Sequence, residues 1–177
     1  MRSVSVVPYR KEWPSLFQSE VAELKKIFGL EVDHIYHIGS TAVPGLAAKP
    51  IIDIMPVVHD INRIDDFHDA MIGIGYEPRG ENGIPGRRYF QKGGNNRTHH
   101  VHVYEQGSQE IKRHLAFRDY LRTHRSAVKR YGELKKELAK QHPFDMDSYI
   151  RGKHNVVLEI ESEAIKWYET IGEEFHD

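Results

Sequence analysis

The N-terminal part of the chain alternates between extended and helical patterns of apolar side chains. Val4 to Val7 predicts a short strand that Pro8 ends. Apolar residues then recur at helical spacing: Trp13, Leu16, Phe17, Val21, Leu24, Ile27 and Phe28. Pro14 suits the first turn of a helix and Gly29 suits its end, so this stretch predicts an amphipathic helix.

Two extended segments follow the helix, at residues 33–38 and 50–58. The second is a nearly continuous apolar run, which is typical of a strand covered on both faces near the middle of a sheet. We expect Pro56 to mark the end of its ladder, because proline donates no N–H.

The middle of the chain predicts one more helix and two more strands. Residues 60–74 alternate acidic and apolar positions and predict an amphipathic helix closed by glycines. The pair Tyr89-Phe90 suggests a strand, residues 93–96 suggest a turn, and residues 99–104 predict a second strand.

Helix formers take over after Gly107-Ser108. Two helices are predicted around Leu115 and Leu134, and Asp145 or Asp147 can cap a third that runs to about Ile171. The pattern therefore predicts an α+β fold, with a core in residues 1–107 and a three-helix segment in residues 108–177 packed on it.

Composition limits the classes of function. The chain has 177 residues and no cysteine, which excludes disulfides, thiolate zinc sites and cysteine nucleophiles. The sequence shows no signal peptide and no membrane span, so we expect a cytoplasmic protein without a membrane partner. The net charge of −1 predicts no long nucleic acid as partner and leaves a small charged ligand open. The sequence also leaves a homodimer open.

Asp53 is the one acid inside the apolar run, and a buried carboxylate needs donors or a cation. Side chains in a strand alternate, so His100 and His102 share one face of their strand. If the two strands are neighbours, Asp53, His100 and His102 converge. They could then bind a divalent metal, for which imidazole favours zinc, manganese or iron over magnesium. Alternatively, Asp53 only accepts hydrogen bonds from the turn at Gly39-Ser40, and the histidines lie at a half-solvated edge.

The turn that begins with Gly39, Ser40 and Thr41 suits a phosphate, because a tight turn offers backbone N–H groups and hydroxyls. Several cations could clamp an anion held there: Lys49, Arg118, Lys135 and Lys153. Each could equally be a solvated or snorkelling side chain. Arg87, Arg88 and Arg97 form a further basic patch, for which a solvated surface is the simpler interpretation. We expect His37 to support the turn by hydrogen bonding rather than to bind a ligand.

The stretch from His37 to Ile54, HIGSTAVPGLAAKPIIDI, resembles the signature of the GrpB family, whose members belong to the nucleotidyltransferase-fold superfamily. Other blocks resemble the family in the same order, among them His99 to Val103, Phe117 to Arg122, and Tyr149 with Lys153. The resemblance implies a nucleotidyltransferase-like mixed sheet flanked by helices.

The superfamily pattern is a Gly-Ser turn, then an acid, one hydrophobic residue and a second acid, with a third acid on a neighbouring strand. Those acids hold two magnesium ions. Gly39, Ser40 and Asp53 match the pattern, but Met55 stands at the second acid's place. His100 or His102 stands near the third.

Three functions therefore remain open. The first is a nucleotidyl or phosphoryl transferase with Asp53 and His102 as catalytic residues and Mg, Mn or Zn as cofactor. The second is a catalytically inactive module that binds a nucleotide or phosphorylated metabolite. The third is a metal-dependent phosphoesterase that uses Asp53, His100 and His102.

Overall fold

The computed structural model describes residues 2–171; residues 172–177, which belong to the predicted helical segment, lie outside the described residues. The helix α1 spans Trp13–Phe28, and the strands β1 and β2 span Val32–Ile38 and Ile52–Val58. A short helix α2 at His68–Gly73 precedes β3 (Tyr76–Pro78), β4 (Arg88–Lys92) and β5 (His99–Glu105). Three helices close the chain: α3 (Gln109–Thr123), α4 (Arg125–Gln141) and α5 (Met146–Ile171).

The five strands form one mixed sheet in the order β1-β2-β5-β4-β3. Strand β2 pairs antiparallel with β1 and parallel with β5, so it lies inside the sheet as its apolar run predicts. Ile52 and Ile54 face the cluster that includes α1, whereas Met55 faces the cluster built with α3 and α5. The predicted α+β fold, a mixed sheet flanked by helices, is confirmed.

Three local predictions are wrong. The pairing of β2 does not end at Pro56, because β2 pairs with β1 as far as Val58. On the other side, the residues of β2 that pair with β5 include Ile54 and then Val57, so the missing N–H of Pro56 falls where the ladder has no partner residue. Val4 to Val7 is not a strand, and Val7 alone bridges to Ala48.

The third wrong prediction is the single helix over residues 60–74. Its first part, Ile61–Phe67, is a 3₁₀ helix, and only His68–Gly73 is α-helical. Ile61, Ile64 and Phe67 are three residues apart, which is the repeat of a 3₁₀ helix, so this spacing places all three on one side. Strand β3 was also missed, because its three residues stand in a stretch rich in glycine and proline.

Candidate functional site

The parallel pairing of β2 with β5 brings the predicted trio together. Asp53 lies opposite His100 in the register, and both histidines point to the same side as Asp53. His102 Nε2 lies 3.0 Å and His100 Nδ1 lies 3.3 Å from Asp53 Oδ1. One donor atom from each residue lies within 4.8 Å of the other two, a geometry that could hold a metal ion. We call these three residues the Asp53 cluster.

Two opposing effects set the ionisation of the cluster. Burial raises the pKa of Asp53, but hydrogen bonds from His100 and His102 outweigh it and hold the pKa well below its ordinary value. Burial lowers the pKa of His102, and the hydrogen bond to Asp53 offsets this only in part. The side chain of Asp53 keeps 27% of its surface exposed, so it can still reach a ligand.

Two arginines contact the outer nitrogens of the imidazoles. Arg97 Nη1 lies 3.1 Å from His100 Nε2, and Arg87 Nη1 lies 3.4 Å from His102 Nδ1. A guanidinium only donates hydrogen bonds, so each outer nitrogen must be the acceptor. The proton of each ring then lies on the nitrogen that faces Asp53, and both rings donate to the carboxylate. Histidines that bind a metal usually donate from the outer nitrogen instead, so metal binding would require both arginines to move.

Gly39 is required by the close approach of Asp53. Its φ is +72°, and a Cβ at this position would lie 2.7 Å from Asp53 Oδ2. The following 3₁₀ turn, Ser40–Ala42, presents the Ser40 hydroxyl, which accepts a hydrogen bond of 2.8 Å from Lys135 Nζ. As expected, His37 supports this turn: its Nε2 lies 2.9 Å from Thr41 Oγ1. Burial lowers the pKa of His37 to about 4, which keeps the ring neutral.

A cavity of about 320 Å³ opens beside the turn and the Asp53 cluster. Its polar lining combines Ser40, Thr41, Asp53 and His100 with three lysines, Lys49, Lys135 and Lys153. We call it the lysine cavity. It brings together most of the predicted site residues, from the Gly-Ser turn, the start of β2, β5, α4 and α5.

The lysines of this cavity are poorly compensated. Burial, followed by the charge of Lys153, lowers the pKa of Lys49 to about 8. Lys135 is 2% exposed, and burial with the charges of Lys153 and Lys49 lowers its pKa well below the ordinary value. Asp53 is the only acid among the described residues that line the cavity. Three cations that repel one another around one carboxylate are suited to an anionic ligand.

Two of the predicted ligand-binding residues lie elsewhere. Arg118 does not line the lysine cavity; its Nε donates to Asp119 at 2.9 Å and its Nη1 to the carbonyl of His37 at 3.3 Å. These contacts hold the 1%-exposed guanidinium beside β1, so it does not reach a ligand in the lysine cavity. Gly39 shapes the turn without lining the cavity, and His102 reaches the site through Asp53.

The second carboxylate of the superfamily pattern has no equivalent here. Met55 is fully buried and packs with Ile38, Tyr104 and Leu115 between the sheet and the helices. A thioether in the core offers no oxygen ligand, so these residues do not fit a pair of magnesium ions. One carboxylate with two imidazoles fits a single ion that prefers nitrogen, such as zinc or manganese.

Three residues at the site are not among those that the sequence predicts there. Arg87 and Arg97, assigned to a solvated patch, contact the Asp53 cluster, and the position of Arg97 three residues before His100 was a usable signal. Tyr149 lines the lysine cavity, and its ring centroid lies 5.1 Å from Lys49 Nζ and 5.4 Å from Lys153 Nζ. Its place one turn before Lys153 on α5 could have indicated this contact.

Among residues 2–171, none of the helices combines the length and the apolar composition that spanning a bilayer requires.

Comparison with known proteins places the chain among relatives of the same fold. It is 51% identical over 166 residues to the UPF0157 protein YqkA of Bacillus subtilis, covering 94% of this chain and 48% of that protein. The chain thus spans about half the length of that relative. A crystal structure of GrpB from Enterococcus faecalis, 46% identical, superposes with a TM-score of 0.90 over 93% of this chain and 99% of that one.

More distant structures share the fold alone. The Cid1 poly(U) polymerase, 14% identical, has a TM-score of 0.52 over 76% of this chain and 43% of that one. This likeness confirms the nucleotidyltransferase-like fold that the sequence resemblance implied. The family described as GrpB protein matches residues 3–163, and the chain belongs to the GrpB family.

Proposed function

We propose that the lysine cavity binds the phosphoryl group of a small molecule, with a nucleotide as the first candidate. The observation that carries this proposal is the meeting of three lysines and the Ser40 hydroxyl in one cavity, beside Asp53 and His100 of the Asp53 cluster. Lys135 and Lys153 would neutralise the phosphoryl charge, and the Ser40 hydroxyl, which accepts from Lys135, would donate its proton to a phosphoryl oxygen. Binding an anion also relieves the mutual repulsion of the lysines.

The Asp53 cluster would hold one divalent ion of the zinc or manganese type next to the phosphoryl group. Such an ion, when bound, acts as a Lewis acid that polarises a phosphoryl oxygen. The protein's own part is to fix the carboxylate against Gly39 and to keep both imidazoles beside it, and Arg87 and Arg97 would leave the outer nitrogens when the ion binds. With Met55 in the core, we propose a one-metal phosphoryl or nucleotidyl transfer site, not a two-magnesium site.

A second candidate function is binding without metal or turnover. The contacts of Arg97 and Arg87 favour it, because they satisfy the outer nitrogens of both histidines and leave Asp53 as an acceptor from two rings. In this form the Asp53 cluster would be a hydrogen-bonded support for the Gly39 turn.

Metal analysis and calorimetry separate these functions. Freshly purified protein is analysed for metal beside the Asp53→Asn and His102→Ala variants, and ATP is then titrated with and without Mn²⁺, Zn²⁺ or Mg²⁺. The one-metal site predicts about one ion per chain and a loss of metal affinity of about tenfold or more in both variants. ATP binding without metal in all three proteins would establish the second candidate. No ATP binding under any condition would refute the proposed ligand class.

A further inference from the structure

A second cavity, of about 370 Å³, adjoins the lysine cavity. Lys49 and Ile51 line both cavities, so one ammonium group stands at the junction between them. The second cavity is formed by the first residues of the chain, the turn before β5 and the start of α5. Because its charged lining comprises Arg2, Arg10, Arg97 and Lys49, we call it the arginine cavity.

The arginine cavity has cations and no acid in its described lining. Its remaining polar residues are neutral donors and acceptors: Ser3, Ser5, Asn95, Asn96 and Thr98. Both cavities together contain six lysines and arginines and one carboxylate, in a chain with 25 basic and 26 acidic residues. The excess of cations at these two cavities is therefore local and is not a property of the whole chain.

The side chains of two of these arginines have no hydrogen-bond or salt-bridge partner within residues 2–171. They are the guanidinium groups of Arg2 and Arg10, whereas the guanidinium of Arg88 pairs with Asp65 at 2.8 Å. Arg2 is half-buried, and burial together with the charge of Arg97 lowers its pKa. Arg10 is exposed. The repulsion of Arg2 by Arg97, with no acid in the described lining to offset it, favours occupation by an anion.

Arg97 is fixed in place between the two cavities. Its Nε donates to the Gly94 carbonyl at 3.0 Å, and its Nη1 donates to His100, which lines the lysine cavity. The turn that carries it is tight: Gly93 has a φ of +104°, and a Cβ there would collide with the Asn96 carbonyl. The guanidinium is thus held beside the Asp53 cluster while it lines the arginine cavity.

We propose that the arginine cavity is an anion subsite that continues the lysine cavity, so that the ligand is a chain of phosphoryl groups. The chain would run from Lys135 and Lys153 past Lys49 to Arg2, Arg10 and Arg97. This inference rests on the proposed function of the lysine cavity. A nucleoside triphosphate and an inorganic polyphosphate share this chemistry, and the experiment distinguishes them.

The test compares ligands of different phosphoryl length in the intact chain. Orthophosphate, tripolyphosphate, AMP and ATP are titrated by calorimetry into wild type, the Arg2→Gln/Arg10→Gln variant and a matched Lys11→Gln/Lys166→Gln control. The control removes two exposed lysines that line neither cavity, and circular dichroism and thermal unfolding verify that all three proteins fold alike.

We expect wild type to bind tripolyphosphate or ATP at least about tenfold more tightly than its one-phosphate counterpart. The arginine variant should bind the long probes about tenfold more weakly than wild type and the short probes within about twofold of wild type. The control variant should bind all four probes as wild type does. If the arginine variant loses affinity for ATP alone, the ligand is a nucleotide. If it loses affinity for both long probes, the phosphoryl groups themselves are recognised.

Equal affinities for long and short probes, or equal losses for both in the arginine variant, would overturn the second subsite and leave the lysine cavity intact. Failure of wild type to bind any of the four probes, with or without Mn²⁺, Zn²⁺ or Mg²⁺, would overturn the proposed function and this inference with it.

Discussion

Lys49 offers the most quantitative test, because burial and the charges of three neighbouring cations, Lys153, Arg2 and Arg97, oppose its own charge. Its pKa is lowered from 10.5 to about 8, so the ammonium form is disfavoured in the folded protein. The difference corresponds to roughly 3 kcal/mol at pH 7 as an upper limit. The variant Lys49→Met keeps the length of the side chain near Met146 and Tyr149 and removes this cost. We therefore expect it to be more stable than wild type at pH 7.

The sign of the pH dependence follows from the two pKa values. Between pH 8 and 10.5 the unfolded state binds more protons at Lys49 than the folded state does, so the stability of wild type rises with pH in this window. Relative to Lys49→Met, wild type should gain about 2 kcal/mol between pH 7 and 9.5. Urea unfolding of both proteins at these two pH values measures the difference, and titrations that both share cancel.

Ligand binding supplies an independent readout of the same residue. A phosphoryl group at the lysine cavity would raise the pKa of Lys49 again, so ATP binding near pH 8.5 should take up protons in wild type and fewer in Lys49→Met. Calorimetry in buffers of different ionisation enthalpy measures this uptake. If the difference in stability between wild type and Lys49→Met does not change with pH, and both proteins take up equal numbers of protons on binding ATP, then Lys49 is not a destabilised cation that an anionic ligand stabilises.

Three further variants test the architecture of the site. Between pH 6.5 and 4, wild type should lose roughly 3 kcal/mol of stability through His37, because in this range the residue binds a proton only in the unfolded state. His37→Gln should not show this loss, and urea unfolding of both proteins at the two pH values measures the difference. Gly39→Ala should lower the free energy of unfolding by roughly 3 kcal/mol or more, because φ is +72° and the new Cβ would collide with Asp53. Gly45→Ala is the control, since Gly45 has a φ of +83° with open space around it and reports only the cost of the backbone conformation. Equal shifts in melting temperature for the two variants would contradict a role for the contact between residue 39 and Asp53. Met55→Asp restores the second acid of the superfamily pattern, but it should lose about 4 kcal/mol or more of stability because the carboxylate enters an apolar core. A folded variant that binds two magnesium ions would contradict the conclusion that these residues do not fit a two-magnesium site.

The elements near the site could be predicted because their patterns are local. The apolar run with one acid placed β2 inside the sheet, and strand alternation correctly placed Asp53, His100 and His102 on one side. Lys135 and Lys153 could be named as candidates because each interrupts an apolar stripe, and both line the lysine cavity. Lys135 donates to Ser40, a residue far away in sequence.

The remaining contacts depend on which segments meet in space, and no local pattern reports that. Arg118 has the same charge and spacing as a phosphate clamp, yet it faces a backbone carbonyl behind β1. Arg97 lies in a glycine-rich segment whose composition predicts a solvated turn, yet its guanidinium is hydrogen-bonded to the Gly94 carbonyl and to His100. Pro56 was expected to end a ladder, but pairing with β1 continues around it because the missing N–H removes only one donor.

Binding of a phosphoryl group in the lysine cavity is tested most directly by a calorimetric titration of ATP into wild type, Lys153→Gln and Lys166→Gln. The two variants remove one lysine each from the same helix, and only Lys153 lines the cavity. We expect the Lys153→Gln variant to lose about tenfold in affinity, the scale of one charge-assisted hydrogen bond, and Lys166→Gln to match wild type. Equal affinity in all three proteins would contradict the assignment of this cavity as the phosphate site.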